Sequence, residues 1–352
     1  MTPRSAQILL VRLADPSARA VQSVLAICGI HGPSPLWRWH APNLLTIRSG
    51  DAGGELVARL TQEPAVARVL ALGGTRLHTR WPEGTPAPVR LRDGVACGGS
   101  EPVVIAGPCA VEGEAQVFEI AEAVAAAGAV ALRGGVFKPR TSPYDFAGLG
   151  AAGLSLLAAA GQRTGLPIVT EVLESGTLDL VASVADVIQI GSRNMHNTPL
   201  LFAAGAHPRG RPVLLKRGLG ATLEEWLEAA EYVLLGRFAA GHVDPGLILC
   251  ERGIRTFEPA TRFTLDVAAI PVLAGRTHLP VIVDPSHAAG DRGLVKALAA
   301  AGIAAGAHGL IVEVHQDPAC AWCDGAQSLD LHGFAELMAA IRPLRGQAAP
   351  AW

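Results

Sequence analysis

Short apolar runs alternate with longer amphipathic stretches from residue 103 onward. Eight such runs are mostly β-branched and almost unbroken, as in parallel strands that are covered on both faces. They are Val103–Ala106, Val130–Arg133, Pro167–Thr170, Asp186–Ile190, Pro212–Lys216, Leu247–Cys250, Pro280–Asp284 and Gly309–Val314. Helical patterns lie between them, for example in Glu114–Ala127 and Gly293–Ala305. Eight strand–helix units predict an α/β fold with a closed (β/α)8 (TIM) barrel over residues 103–345, and an open doubly wound sheet is the alternative.

The first 76 residues have a different pattern, which predicts a separate small unit. Strand-like and helix-like segments follow one another in the order βαββαβ, which is the ferredoxin-like arrangement. The segments are Gln7–Leu13, Ser17–Cys28, Pro35–Trp39, Asn43–Arg48, Gly53–Gln62 and Val66–Leu72. Residues 77–102 are rich in Pro, Gly and Arg without periodicity, so we expect a linker or an irregular cap on the barrel.

Composition narrows the class of protein. Half of the 352 residues are hydrophobic and the formal net charge is -2, which gives no indication of nucleic acid or an anionic membrane as partner. Six scattered cysteines in a chain of this length do not form the pattern of a disulfide framework. There is no leader-like segment and no apolar run long enough to span a bilayer. We therefore expect a cytoplasmic protein.

Polar residues recur where the predicted strands end. Enzymes with this barrel carry their chemistry at the C-terminal ends of the strands, so these side chains are expected to converge. The cations among them are Arg133, Lys138, Arg140, Arg193, Lys216 and Arg252. Crowded cations repel one another unless anions bind, and Arg and Lys match phosphate and carboxylate oxygens. Glycines such as Gly191 allow backbone N–H groups to approach a phosphate. The pattern predicts a polyanionic substrate, or two phosphorylated ones.

A second set of strand-end residues has the chemistry of metal ligands. Cys109, His287, Glu313 and Asp324 combine a thiol, an imidazole and two carboxylates, which suit Zn²⁺, Mn²⁺, Fe²⁺ or Co²⁺. Their spacing is not that of a compact metal motif, and each could instead be a buried or hydrogen-bonded residue. Cys320 and Cys323 form a C-x-x-C pair beside Asp324, which we interpret as incidental loop cysteines.

These motifs, in this order, resemble those of type I 3-deoxy-D-arabino-heptulosonate 7-phosphate (DAHP) synthases, in the class with an N-terminal ferredoxin-like domain. The resemblance covers essentially the whole chain. The matching segments are Ala106–Cys109, Leu132–Gly135, Lys138–Pro143, Gln189–Asn194, Leu215–Gly218, Cys250–Thr256, Val283–His287, Ile311–His315 and Asp324–Leu329.

The resemblance implies an aldol-like condensation of phosphoenolpyruvate with erythrose 4-phosphate that depends on a divalent metal ion. It places the metal ligands on Cys109, His287, Glu313 and Asp324. It places the phosphoenolpyruvate contacts on Arg133, Lys138, Gly191, Ser192, Arg193, Lys216 and Arg252. It places the contacts to the aldose phosphate on Arg140 and Thr141. Lys138 is the candidate proton donor, and Cys109 and His287 complete the catalytic set.

Two rival functions remain open at this point. A 3-deoxy-manno-octulosonate 8-phosphate synthase shares the barrel, but typically has Lys-Ala-Asn-Arg where this chain has Lys138-Pro139-Arg140-Thr141. A non-catalytic barrel that binds phosphorylated metabolites is the other rival, although none of the expected site residues is missing. The resemblance further implies a homo-oligomer, a tetramer or a dimer, with an aromatic amino acid effector at the N-terminal domain.

Overall fold

The N-terminal unit is a four-stranded antiparallel sheet with two helices on one face. The computed structural model describes residues 7–49, 54–73, 75–82, 88–140 and 142–344. The elements of this unit are β1 (Gln7–Leu13), α1 (Ala18–Ile27), β2 (Trp37–Ala41), β3 (Leu44–Ser49), α2 (Gly54–Thr61) and β4 (Val66–Ala71). The strand order β2-β3-β1-β4 is that of the ferredoxin-like fold, and it confirms the predicted arrangement.

Side chains along β1 alternate between the two faces of this sheet, and both faces pack against a hydrophobic core. Leu9 and Val11 are fully buried in a small core with α1, which begins after Ser17, whose hydroxyl accepts a hydrogen bond from the Ala20 N–H. Leu10 points the other way and joins the core of the barrel. The N-terminal sheet therefore packs directly against the larger domain.

A two-stranded hairpin follows, in the segment for which the sequence pattern predicted no regular element. It consists of β5 (Val89–Arg92) and β6 (Val95–Cys97). Val89, Leu91 and Cys97 are buried in the same cluster as the residues that fill the barrel interior. A Cβ on Gly98, just after the hairpin, would lie 3.2 Å from Pro280, at the start of a barrel strand. The hairpin therefore closes the N-terminal end of the barrel.

The barrel consists of eight parallel strands and closes on itself. The strands are β7 (Val103–Gly107), β8 (Ala131–Arg133), β9 (Ile168–Glu171), β10 (Val187–Ile190), β11 (Val213–Lys216), β12 (Leu247–Glu251), β13 (Val281–Val283) and β14 (Gly309–Glu313). Each overlaps one of the eight predicted runs. Pairing of β14 with β7, with Ile311 opposite Ile105, completes the ring and excludes the open sheet.

Helices surround the barrel. They are α3 (Glu114–Ala126), α4 (Gly150–Thr164), α5 (Leu178–Val184), α6 (Thr198–Ala206), α7 (Leu223–Ala240), α8 (Ala269–Ala274), α9 (Pro285–Ala289), α10 (Arg292–Ala304) and α11 (Leu331–Ile341). Within the described ranges, no helix has both the length and the apolar character that crossing a membrane requires.

The N-terminal sheet is attached to the barrel mainly at α7. The side-chain amide of Asn43 donates to the Ala239 carbonyl at 2.9 Å, and Leu44 is fully buried in the barrel core cluster. After β4 the chain continues along the same helix, where His78 Nδ1 lies 2.7 Å from the buried Glu231 carboxylate. These contacts hold the two domains together on the side of the barrel, away from the strand ends.

Candidate active site

A cleft of about 280 Å³ opens at the C-terminal ends of the barrel strands. The predicted site residues that line it are Arg133, Lys138, Arg140, Gly191, Ser192, Arg193, Lys216, Arg252, His287 and Asp324. Cys109 and Glu313 lie directly behind the lining, with Cys109 Sγ 3.3 Å from Asp324 Oδ2 and Glu313 Oε1 3.5 Å from His287 Nε2. Thr141 lies outside the described residues. All the other predicted site residues thus meet at this mouth.

Several of the predicted cations are already neutralised within the protein. Arg133 Nη1 is 2.9 Å from Glu313 Oε1, and Lys216 Nζ is 2.6 Å from Asp284 Oδ2. Both pairs are buried, with side chains at most 5% exposed. Part of the negative charge that crowded cations require is thus supplied by Glu313 and Asp284 within the protein. Buried ion pairs of this kind fix the direction in which each cation points.

An excess of positive charge nevertheless remains in the cleft. Its lining holds seven Lys and Arg side chains against three Asp and Glu side chains. Arg252 has no carboxylate partner among the described residues; its guanidinium lies 4.2 Å above the Phe263 ring, and burial lowers its pKa. The Arg133 Nε and Ser192 Oγ atoms are buried without a hydrogen-bond partner in the described part of the chain. Partnerless donors around a basic cleft fit an anionic ligand.

The imidazole of His287 is oriented by a buried carboxylate. Asp284 ends β13 and caps α9, accepting a hydrogen bond from the His287 N–H at 2.9 Å. Its second oxygen lies 2.7 Å from His287 Nδ1. Burial alone would raise the pKa of Asp284, but His287 and Lys216 hold it well below its usual range. The ionised carboxylate thus keeps a proton on Nδ1 and leaves the Nε2 lone pair facing the cleft.

Cys323 belongs to the site, which corrects its interpretation as an incidental loop cysteine. Its Sγ is 3.2 Å from Cys109 Sγ and accepts a hydrogen bond from Arg140 Nη1 at 2.8 Å. The hydrogen bond to Cys323 and burial raise the pKa of Cys109 well above its usual value. Cys320, the other half of the C-x-x-C pair, is exposed. The available sequence signal was the position of Cys323 directly before Asp324.

Residues that the sequence argument did not single out also contribute to the cleft. Glu171 lies beside Gly191, where a Cβ would come within 2.1 Å of the Glu171 carboxylate and would require that side chain to move. Arg262 lines the cleft from the loop after β12. Gln327 is buried and donates to Glu313 at 2.6 Å. Glu171 ends β9 and is one of the polar strand-end residues, and Gln327 lies in the matching segment Asp324–Leu329, but neither was assigned a role. No pattern in the sequence indicated Arg262.

The donor atoms near His287 can hold a divalent cation. One atom each from His287, Glu313 and Asp324 lie within 4.8 Å of one another, as do atoms of Cys109, Cys323 and Asp324. Asp324 belongs to both groups, which together contain two thiols, an imidazole and two carboxylates. Such a mixture of borderline and hard donors fits Zn²⁺, Mn²⁺, Fe²⁺ or Co²⁺.

The chain is similar to known proteins over the barrel. Residues 86–345 match the model of the DAHP synthetase I family. A phospho-2-dehydro-3-deoxyheptonate aldolase of Thermotoga maritima is 51% identical over 241 residues, which cover 68% of this chain and 69% of that protein. A 2-dehydro-3-deoxyphosphooctonate aldolase of Rhodopseudomonas palustris is 34% identical over 272 residues, which cover 72% of this chain and 91% of that protein.

A solved structure extends the likeness to the N-terminal domain. The crystal structure of the DAHP synthase from Thermotoga maritima superposes with a TM-score of 0.72 at 38% identity and covers 97% of each chain. The match therefore includes the ferredoxin-like unit as well as the barrel. The family match over the barrel, the 51% identical relative and this superposition lead to one conclusion: the chain belongs to the DAHP synthetase I family.

Proposed function

We propose that this protein condenses phosphoenolpyruvate with erythrose 4-phosphate and water to give DAHP and inorganic phosphate, the first step of the shikimate pathway. The observation that carries the proposal is the basic cleft, whose partnerless donors adjoin a cluster of metal-binding side chains. The higher identity to the heptonate aldolase than to the octonate aldolase favours the four-carbon aldose over arabinose 5-phosphate.

Phosphoenolpyruvate would be held by the inner cations of the cleft. Arg133, Lys216 and Arg252 are almost fully buried, and Arg193 and Ser192 lie on the turn after β10. Their charges would fix the phosphate and the carboxylate and leave the enol carbon free to attack the aldehyde. Holding both substrates in this geometry lowers the barrier because orientation is supplied in advance. Lys138 would bind the same substrate beside Arg133, since both side chains donate to the Cys109 carbonyl.

The aldose phosphate would be bound nearer the rim. Arg140 lies there in contact with Asp145 at 3.1 Å, and its side chain is about a quarter exposed, at 24%. We propose Arg140 and Thr141 as the residues that bind the phosphate of erythrose 4-phosphate. A phosphate at this position would take over the hydrogen bonds that Arg140 now donates to Asp145 and Cys323.

The metal ligands would be Cys109, His287, Glu313 and Asp324. A divalent ion bound there would supply Lewis acidity toward the aldehyde oxygen. We propose Lys138 as the proton donor to that oxygen; the distance of 3.0 Å from its Nζ to Cys109 Sγ, beside the same cluster, supports this role. Burial alone would lower the pKa of Lys138, but Cys109, Cys323 and Glu313 raise it, which keeps the ammonium group protonated.

Phosphate release tests the proposed reaction. Chelator-treated protein is given Mn²⁺ and phosphoenolpyruvate with erythrose 4-phosphate or with arabinose 5-phosphate. We expect release with the four-carbon aldose only, and none without Mn²⁺. Release with arabinose 5-phosphate would assign the protein to the eight-carbon sugar instead. Release with neither aldose would favour a barrel that binds phosphorylated metabolites without chemistry.

The N-terminal domain is proposed to bind an aromatic amino acid effector in a cytoplasmic homo-oligomer, a tetramer or a dimer. A cleft of about 440 Å³ between the sheet and α7, lined by Trp37, Arg38 and Tyr232, supports a ligand-binding role for this domain. Tyrosine or phenylalanine should inhibit the intact protein, and deletion of residues 1–80 should abolish the inhibition. Insensitivity of the intact protein would end the effector proposal, and a monomer in light scattering would end the assembly proposal.

A further inference from the structure

We propose that Gln327 and Arg262 are positioning residues that present the carboxylates of Glu313 and Asp324 to a divalent cation. The inference rests on the metal site of the proposed function and deepens it. Gln327 Nε2 donates to Glu313 Oε2 at 2.6 Å. Gln327 Oε1 accepts from Arg262 Nη1 at 2.7 Å. The same Nη1 donates to Asp324 Oδ1 at 3.1 Å. One amide and one guanidinium thus link both carboxylates.

These hydrogen bonds separate the oxygens of each carboxylate by role. Glu313 Oε2 and Asp324 Oδ1 are occupied by the amide and the guanidinium. The other two oxygens, Glu313 Oε1 and Asp324 Oδ2, face His287 Nε2 at 3.5 and 3.9 Å. Oε1 also accepts a hydrogen bond from Arg133 Nη1 at 2.9 Å, and Oδ2 lies 3.3 Å from Cys109 Sγ. Each carboxylate therefore offers one oxygen toward the imidazole. Hydrogen bonds of this kind to ligand residues fix their orientation and tune the affinity of the metal site.

The orientation of the Gln327 amide follows from the chemistry of its neighbours. An arginine side chain can only donate hydrogen bonds, and an ionised carboxylate can only accept them. The amide oxygen must therefore face Arg262 and the amide nitrogen must face Glu313. Gln327 is 2% exposed, so water cannot take the place of either partner at low cost. A flipped amide would lose both bonds and place like groups together.

The chain path shows why the hydrogen bonds of Gln327 and Arg262 are needed to fix the position of Asp324. Asp324 lies in the excursion between β14 and α11, and its backbone has a positive φ of 53°, which is uncommon for a residue with a side chain. The excursion is closed at its base by pairing of Val314 with Leu329. Arg262 comes from a different loop, after β12. The hydrogen bonds of Gln327 and Arg262 thus link two loops to β14. The position of Asp324 depends on Arg262, which is far away in the sequence.

Metal affinity tests this role separately from turnover. Mn²⁺ binding to chelator-treated protein is followed by the electron paramagnetic resonance signal of the free ion, for wild type, Gln327→Met and Arg262→Met. We expect both variants to bind Mn²⁺ about 10- to 100-fold more weakly, as is typical when hydrogen-bond partners of metal ligands are lost. Arg262→Lys retains a donor and should recover part of the affinity. Arg276→Met, which breaks an exposed ion pair with Glu224, is the control and should bind like wild type.

The outcomes separate this inference from the proposed function. Wild-type affinity in both variants would overturn the positioning role and leave the proposed reaction standing. Absence of Mn²⁺ binding by wild type would overturn both the metal site and the positioning role. The thermal midpoints of the metal-free proteins show whether each variant is folded. If Gln327→Met unfolds, Arg262→Met decides, because its side chain is 39% exposed and its removal leaves no large cavity.

Discussion

Two buried arginines of this chain differ in what surrounds them. Arg237, on α7, is 1% exposed and donates to the carbonyls of Asp244 and Arg211 and to the Asp244 carboxylate. Arg252, in the cleft, is 5% exposed, and among the described residues it bonds one backbone carbonyl, that of Gly253 at 3.4 Å. The donors of Arg237 are satisfied by the protein, which fits a role in the fold. Those of Arg252 face an open cleft, which fits the ligand-binding role proposed above.

Opposite effects of two substitutions should follow. Arg252→Met should raise KM for phosphoenolpyruvate about 10- to 100-fold, the equivalent of one charge-assisted hydrogen bond, and leave the thermal midpoint unchanged or higher. Arg237→Met should leave KM unchanged but lower the free energy of unfolding by about 1–3 kcal/mol, because buried carbonyls lose their donor. Steady-state kinetics and urea unfolding measure both. An Arg252 variant that only loses stability would contradict the assignment.

Substitution of Lys138 tests the proposed proton transfer directly. Lys138→Met removes the proposed proton donor, so kcat should fall about 10²- to 10⁴-fold, as is typical for loss of general acid catalysis. Mn²⁺ should still bind, because the proposed metal ligands are unchanged, but more weakly, because Cys109 Sγ loses the hydrogen bond from Lys138 Nζ; kcat is therefore measured at saturating Mn²⁺. Lys296→Met, which removes an exposed partner of Glu336, is the matched control and should be fully active. Turnover that survives in Lys138→Met would show that another group supplies the proton.

Helix packing around the barrel depends at one point on glycine. The helices α6 and α7 cross so closely that a Cβ on Gly236 would lie 2.3 Å from the Phe202 carbonyl oxygen, and one on Gly205 would lie 2.0 Å from that of Val233. The neighbours are backbone atoms that cannot rotate away. Because α7 also carries the N-terminal domain, this crossing links the domain interface to the barrel.

Gly236→Ala should therefore destabilise the protein despite the better helix propensity of alanine. Overpacking against backbone typically costs about 1–3 kcal/mol, which exceeds the gain in propensity of roughly 1 kcal/mol. Gly293→Ala is the control within α10, since a Cβ there meets nothing closer than the Asp291 carboxylate at 3.4 Å. Its stability should equal or exceed that of wild type in urea unfolding. A stable Gly236→Ala protein would show that the two helices separate without cost.

The elements differ in how far the sequence predicts them. The barrel strands were predictable because most of them are buried β-branched runs, and the strand-end rule then brought together residues as distant as Arg133 and Glu313. The hairpin was missed because its strands are three and four residues long and carry arginines on one face. Arg262 and Cys323 lie on long loops, where no periodicity indicates which side chain turns inward. The loop ends of the barrel are therefore the least predictable part of the site.

At the scale of the whole molecule, a histidine lies beside the interface between the N-terminal domain and the barrel. His40, on β2, lines the cleft between the N-terminal sheet and α7, and its ring lies 2.9 Å from the Thr46 hydroxyl. Burial, and to a smaller extent Arg38, lowers the pKa of His40 from 6.5 to about 4. The folded protein therefore keeps this imidazole neutral over a pH range in which the unfolded chain protonates it.

Lowering the pH should accordingly reduce the free energy of unfolding of the wild type more than that of a variant without the His40 imidazole. Between pH 6.5 and about 4 the unfolded state binds the extra proton at His40, so stability falls as the pH falls. His40→Gln keeps a polar partner for Thr46 but cannot titrate. The difference in unfolding free energy between the two proteins should shift in favour of the variant from pH 7 to pH 5, as measured by urea unfolding. Equal pH dependence would mean that folded His40 titrates normally.

The proposed function depends on which aldose the basic cleft and the adjoining metal-binding side chains accept. The most direct measurement is the mass of the product that forms when the Mn²⁺-loaded protein receives phosphoenolpyruvate with equal amounts of erythrose 4-phosphate and arabinose 5-phosphate. The account predicts that the seven-carbon 3-deoxy acid phosphate predominates, with one inorganic phosphate released for each product molecule. An eight-carbon product in excess, or no condensation product with either aldose, would contradict it.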